Sequence, residues 1–239
     1  MAPPPMKALI AVTCYNDSFY PDGKKTGVYF TEAYHPFMAF WAAGFDVQFV
    51  SEDGTFGYDE KSLDPINCSD KEMEDLRNPD SSFSKCSAKV TTADKVNGKD
   101  YGIIFFAGGH GTIHDFCDAP KLAKLASEVY FNNGILAAVC HGPAIFNNLK
   151  GPDGKPLIQG KTITGFHDQG ETDMGLDEIL KQRSLPTIRQ IAANVGANYQ
   201  APPDPWKDFS LSDQRIVTGA NPASATSTAI KAIELYNKL

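Results

Sequence analysis

The sequence predicts an α/β protein built on a doubly wound, mostly parallel sheet with helices on both faces, three layers in all. Two observations predict it. Short, largely apolar runs recur at residues 7–13, 101–107 and 134–139, and such runs read as strands buried on both faces. Between them lie longer segments with apolar residues at helical spacing, which is what crossovers between parallel strands require. At 239 residues the chain fits one large α/β domain, taken as 1–239, with a core of ordinary size.

In chain order, residues 7–13 are the first strand and the polar, turn-rich 14–25 is the loop at its carboxyl end. Residues 26–43 read as a helix stopped by Gly44, with an apolar stripe of Phe30, Ala33, Tyr34, Phe37, Met38 and Trp41. Pro36 lacks a backbone donor and is expected to kink it. Glu32 lies off the stripe, so by position alone it reads as a solvated helix carboxylate. Residues 45–51 are a second strand. Residues 52–100 turn polar, with turn signals at Asp53-Gly54, Asp64-Pro65 and Asn78-Pro79. They read as a partly helical surface insert able to fold over the active edge as a lid. The third strand, 101–107, runs into Gly108-Gly109-His110-Gly111-Thr112, and 120–133 is an amphipathic helix. After the strand at 134–139 come a turn-rich stretch at 151–160 and a strand at 161–166. Helices follow at 176–180 and 187–195, then short strands at 198–200, 206–210 and 215–218, the middle one antiparallel. A helix over 223–238 closes the chain, and no internal repeat is visible.

Bulk properties narrow the function. Apolar content of 42% and charged content of 21% suit a soluble globular protein. A formal net charge of -7 argues against nucleic acid and anionic membrane as partners. The N-terminal Met1-Ala2-Pro3-Pro4-Pro5-Met6-Lys7 lacks the apolar heart of a secretory leader, and no apolar run approaches the ~18 residues of a membrane span. Five cysteines without paired spacing suggest a reducing compartment. The expected location is the cytoplasm, with the nucleus open to it.

The chemistry centres on Ala138-Val139-Cys140-His141-Gly142-Pro143, where a buried strand turns sharply into a helix start. This is the strand-turn-helix plan of a nucleophile elbow, with Ala138 where the first glycine usually stands. Such a turn lifts the thiol above the carboxyl edge of the sheet, where open α/β sheets bind ligands. The helix N-terminus and the adjacent His141 are expected to favour thiolate and hold the Cys140 thiol below its free value of ~8.5. The competing reading is an inert core cysteine. Gly108 and Gly109 let backbone come close to a bound oxygen, so their amides, with those around Cys140 and His141, are read as an oxyanion hole. A thiol nucleophile needs a base, and the base an orienting carboxylate. His167, Asp168 and Glu171, clustered at the same edge, are the candidates, and spacing does not choose between them. His110, His114 and Cys117 offer metal donors without a fourth at matching spacing, so no metal is expected.

The elbow resembles the DJ-1/PfpI superfamily, which is related to class I glutamine amidotransferases but lacks their Gly-x-Cys-x-Gly. Thr31-Glu32-Ala33-Tyr34-His35-Pro36-Phe37, Ala107–Thr112, Thr164–Thr172 and Val217–Ser224 resemble the fungal heat-shock-protein-thirty-one branch, as does Phe56-Gly57-Tyr58-Asp59-Glu60 in the insert. The likeness runs over nearly the whole chain, its blocks in the same order. It implies a flavodoxin-like sandwich and a cytosolic homodimer. It implies a lyase-class, glutathione-independent glyoxalase (glyoxalase III) that turns methylglyoxal, a small 2-oxoaldehyde, into D-lactate without metal or cofactor. It also implies a stress-linked holdase for unfolded client proteins. By motif match Cys140 is the nucleophile, His141 the adjacent base and Glu171 the third member, while Glu32 is the carboxyl that hydrogen-bonds the sulfur. That replaces the solvated reading of Glu32 and selects Glu171 over Asp168. A protonated Glu32 is expected, since an ionised one would repel a thiolate. The alternatives are a chaperone or redox sensor with incidental turnover, and a cysteine peptidase or amidase.

Overall fold

The computed structural model describes residues 4–239; Met1, Ala2 and Pro3, at the head of the segment read for a leader, lie outside the described residues. The strands are β1 (Lys7–Ala11), β2 (Asp46–Ser51), β3 (Thr91–Thr92), β4 (Ile103–Phe106), β5 (Ile135–Val139), β6 (Thr162–Ile163), β7 (Asn198–Tyr199), β8 (Ser210–Asp213) and β9 (Ile216–Gly219). The helices are α1 (Phe30–Ala42), α2 (Asp70–Arg77), α3 (Ser82–Ser87), α4 (Thr112–Asp115), α5 (Pro120–Phe131), α6 (Asp168–Asp173), α7 (Asp177–Gln182), α8 (Ile188–Asn194) and α9 (Ala225–Tyr236). Seven strands form the main sheet in the order β3-β2-β1-β4-β5-β9-β8, parallel except for the β8–β9 pair.

The central strands are buried on both sides, which is why they read as continuous apolar runs. Leu9, Ile104, Phe106 and Leu136 face one core, with α5 and α8. Ile10, Ile103, Phe105 and Ile135 face the other, with α1 and α9. This is the α/β/α sandwich the sequence predicts. Among the described residues no helix is long and apolar enough to cross a membrane.

Several local expectations are corrected. Helix α1 starts at Phe30 rather than at 26, because residues 26–29 are drawn out against the insert, Val28 pairing with Tyr58. It continues past Pro36 to Ala42. Its N-terminal half is buried on nearly every side, Glu32 included, whereas Met38 and Trp41 on the expected stripe are exposed. The difference is tertiary: Ser62 and Phe83 of the insert and the loop after β4 wall in the first half.

The strand expected at 161–166 shrinks to β6, which leaves the main sheet and pairs with β7. Beside β5 the place is taken by β9, and the Thr164 amide donates to the Thr218 hydroxyl instead of to a ladder. The antiparallel strand lies at Ser210–Asp213, after a turn at Trp206 whose carbonyl neighbours, Pro205 and Lys207, accept from Asn221. The 52–100 insert supplies an edge strand, β3, to the main sheet as well as short helices.

Candidate active site

β4 and β5 are neighbours in the sheet, so the loops at their carboxyl ends meet. Cys140 follows β5 directly and holds φ 58, a left-handed conformation that is uncommon outside glycine and stored here at the elbow. Its amide donates to the Gly219 carbonyl and its carbonyl accepts from Phe166, so the turn is pinned from both sides. The opposing wall is Gly108. A Cβ there would lie 2.4 Å from Glu32 Oε2 and 2.9 Å from the Cys140 Cβ, so only glycine lets sulfur, carboxyl and backbone crowd together. Gly109, at φ 107, then turns the chain away.

From the sulfur a line of hydrogen bonds leads inward. Cys140 Sγ is 3.2 Å from His141 Nδ1. His141 Nε2 is 2.7 Å from Glu171 Oε1, and Glu171 Oε2 is 2.9 Å from His110 Nε2. All four residues are buried. Glu171 arrives on α6, which His167 caps by accepting from the Gln169 amide. The alternatives left open by spacing therefore separate: His167 is spent on the cap, and Asp168 forms a half-exposed ion pair with Arg189 at 2.7 Å. Among the described residues, the group of three donors close enough to hold an ion is His110, His141 and Glu171, which are hydrogen-bonded to one another. His114 and Cys117 are not in it; His114 stacks on Tyr15 with centroids 3.7 Å apart.

The two carboxyls beside the sulfur differ in charge. Burial pushes the Glu32 carboxyl well above its usual range. The Cys140 thiol and the Gly108 amide face it and offset part of this, but both its oxygens lack a well-formed hydrogen bond. The direction is that of a protonated Glu32. For Glu171 burial also works upward, yet His110 and His141 outweigh it and hold the group well below the carboxylate range. His141 is lowered to about 4, first by burial and then by the His110 charge, with Glu171 opposing. The direction is that of a neutral imidazole.

Two expectations are corrected here. The Cys140 thiol is pushed up, not down, first by burial and then by any ionised Glu32, against the Gly109 amide. The helix counted on to depress it is a single 3₁₀ stretch, Gly142–Asn147, too short to develop a macrodipole. The oxyanion hole is also smaller than expected. The Gly108 amide is directed at Glu32 and the Cys140 amide is committed to Gly219, which leaves Gly109 and the rest of the elbow.

A cavity of about 170 Å³ opens over the sulfur, lined by Tyr29, Gly109, His110, Phe166, Met174 and Trp206 among others. The insert reaches it with Lys61 and Asn67.

The DJ-1/PfpI family profile matches residues 25–235 of this chain. The chain belongs to the DJ-1/PfpI family. Among its relatives, the glutathione-independent glyoxalase HSP31 of Saccharomyces cerevisiae is 52% identical over 96% of this chain and 98% of its own. Glyoxalase 3 of Candida albicans is 47% identical over 97% and 98%. The crystal structure of glyoxalase III from Candida albicans superposes with a TM-score of 0.94 at 46% identity, covering 96% of each chain. In this family member, sequence reasoning missed His110 as a partner of Glu171, and missed Tyr20 and Asp59 behind it. The available signal was position: His110 stands directly at the carboxyl end of β4, inside the same glycine-rich motif.

Proposed function

We propose that this protein is a glutathione-independent glyoxalase that converts methylglyoxal to D-lactate. The observation that carries the reading is the unbroken line Cys140–His141–Glu171 beneath a small cavity, with a second, protonated carboxyl at the sulfur. The likeness to named glyoxalases over the whole chain supports it.

The chemistry follows from the two proton sites. The thiol is held protonated in the resting site, so its proton passes to His141 Nδ1 as sulfur attacks the aldehyde carbon C1. Glu171 stabilises the imidazolium that forms. The new oxyanion lies against the Gly109 and elbow amides and takes the proton to give a hemithioacetal. Next, the C1 hydrogen leaves as a proton and C2 gains one, through an enediol. Neutral His141 takes the C1 proton while Glu32, protonated beside the sulfur, gives its proton to the C2 oxygen; C2 then takes the proton back from His141 as the C1 hydroxyl returns one to Glu32. The product is a lactoyl thioester. Water, its proton taken by His141, adds to the thioester carbonyl and releases lactate and the thiol. One water is consumed overall and no electron leaves the substrate.

The homodimer and the unfolded clients are expectations of the family likeness. Met38 and Trp41 on α1 and Ile230 on α9 are the exposed apolar side chains on which either would bear. The test of the enzyme is lactate formation from methylglyoxal without glutathione, read for wild type and Cys140→Ala. Sustained turnover in wild type and none in the variant is expected. Equal turnover in the two would falsify the covalent route.

A further inference from the structure

The reaction written above leaves three buried groups unused: His110, Tyr20 and Asp59. They continue the line beyond Glu171. Tyr20 Oη donates to Asp59 Oδ2 at 2.7 Å, and Thr26 Oγ1 donates to the same oxygen at 2.8 Å. The other Asp59 oxygen accepts from the Lys61 and Ser62 amides at 2.9 and 3.1 Å. The Tyr20 proton is therefore committed to Asp59, and a lone pair of its oxygen faces His110 Nδ1, 3.5 Å away. A lone pair faces a ring nitrogen favourably when that nitrogen carries hydrogen. On its other side His110 Nε2 meets Glu171, which is ionised and can only accept. Both ring nitrogens of His110 thus face oxygens that can accept.

We propose that His110 is a positioning residue of this site: a second histidine that holds Glu171 between two rings and competes with His141 for positive charge, with Tyr20 and the insert's Asp59 fixing it in place. The role rests on the glyoxalase reading, but the charge arrangement can be tested without turnover. The ring centroids of His110 and His141 are 4.1 Å apart, so a charge on one disfavours a charge on the other. A neutral His141 keeps its Nδ1 lone pair for the thiol proton. The groups facing His110 are Glu171 from α6, His141 and Cys140 from the elbow, Tyr20 from the loop after β1, and His114 from α4. Asp59 and Lys61 stand behind Tyr20, Lys61 Nζ lying 4.1 Å over its ring, and Phe19 and Phe166 close the apolar sides.

The experiment is a histidine-selective NMR pH titration of the full chain, with the His141 ring assigned through its loss in His141→Gln. In His110→Gln the amide can still donate to Glu171, but the charge is gone. The His141 titration is expected to move up from about 4 by about one pH unit or more. Tyr20→Phe, which removes the lone pair facing Nδ1 together with the hydroxyl donated to Asp59, moves it in the same direction by less. An unmoved or downward titration in His110→Gln overturns the proposal. Should His110→Gln not fold, Tyr20→Phe decides alone by the same signs. Turnover is read in parallel: kcat falls about tenfold in His110→Gln with KM little changed, and the acid limb of kcat/KM follows the NMR titration. If wild type makes no lactate, the glyoxalase reading fails while the titration still decides the role of His110.

Discussion

Glu32 and Glu171 flank the same sulfur line from opposite sides, and their surroundings drive them apart. Glu32 comes from α1, under the sheet's own crossover, and finds no basic partner. Glu171 comes from α6, in the excursion between β5 and the last strands, and finds two histidines. Burial pushes both upward; only Glu171 has the counter-charges that reverse it. The difference teaches which carboxyl can do what. A group held ionised can orient and charge-stabilise a base, but it cannot deliver a proton. A group held protonated can deliver one, at the expense of stability once pH rises.

The strongest test removes the anchored partner. Glu171→Ala leaves His141 without its orienting carboxylate, and a loss in kcat/KM of at least ~100-fold is expected. If holdase activity runs on exposed apolar surface, suppression of a model client's aggregation persists in the same preparation, with folding and mass checked by light scattering. Full turnover in Glu171→Ala would remove Glu171 from the mechanism and make Asp168 the residue to examine.

Glu32→Gln sharpens the contrast through opposite pH signs. The folded state binds the Glu32 proton more tightly than the unfolded chain, so Glu32 lowers stability progressively as pH rises above the unfolded value of 4.5. Glu171 has the reverse sign: its contribution is present above 4.5 and is lost as pH falls below it. Glu32→Gln is therefore expected to raise Tm by about 2–4 °C at neutral pH and by nothing near pH ~4, while kcat falls by about tenfold or more. Thermal scans across that range are the measurement, and a Tm gain that grows toward acid would reverse the assignment. The smallest effect belongs to the carboxylate that spacing could not separate from Glu171. Asp168→Asn breaks an ion pair whose partners are nearly half exposed, so turnover within about twofold of wild type is expected.

How much of this was legible follows residue by residue. The buried strands announced themselves because a parallel sheet covered on both faces needs apolar residues at every position, a local property. The elbow was legible for the same reason: Cys140, His141 and Gly142 are consecutive, and their contact at 3.2 Å is set by one turn of backbone. Glu171 rather than Asp168 came from the family likeness, since three residues of chain say nothing about which side chain will face inward. Glu32 had to be corrected from solvent to core, because its burial is imposed by an insert and a glycine loop that follow it in the chain by about 30 and 75 residues. The sequence by itself determined the layers, the adjacent Cys140 and His141 and the small-residue turn that presents them, all of which depend on neighbours in the chain. The tertiary structure alone decided the raised thiol, the ionised Glu171 and the His110–Tyr20–Asp59 extension behind it. Charge in a buried site is set by desolvation and by partners brought from six separate stretches of chain, and neither can be read from a residue's own surroundings in sequence.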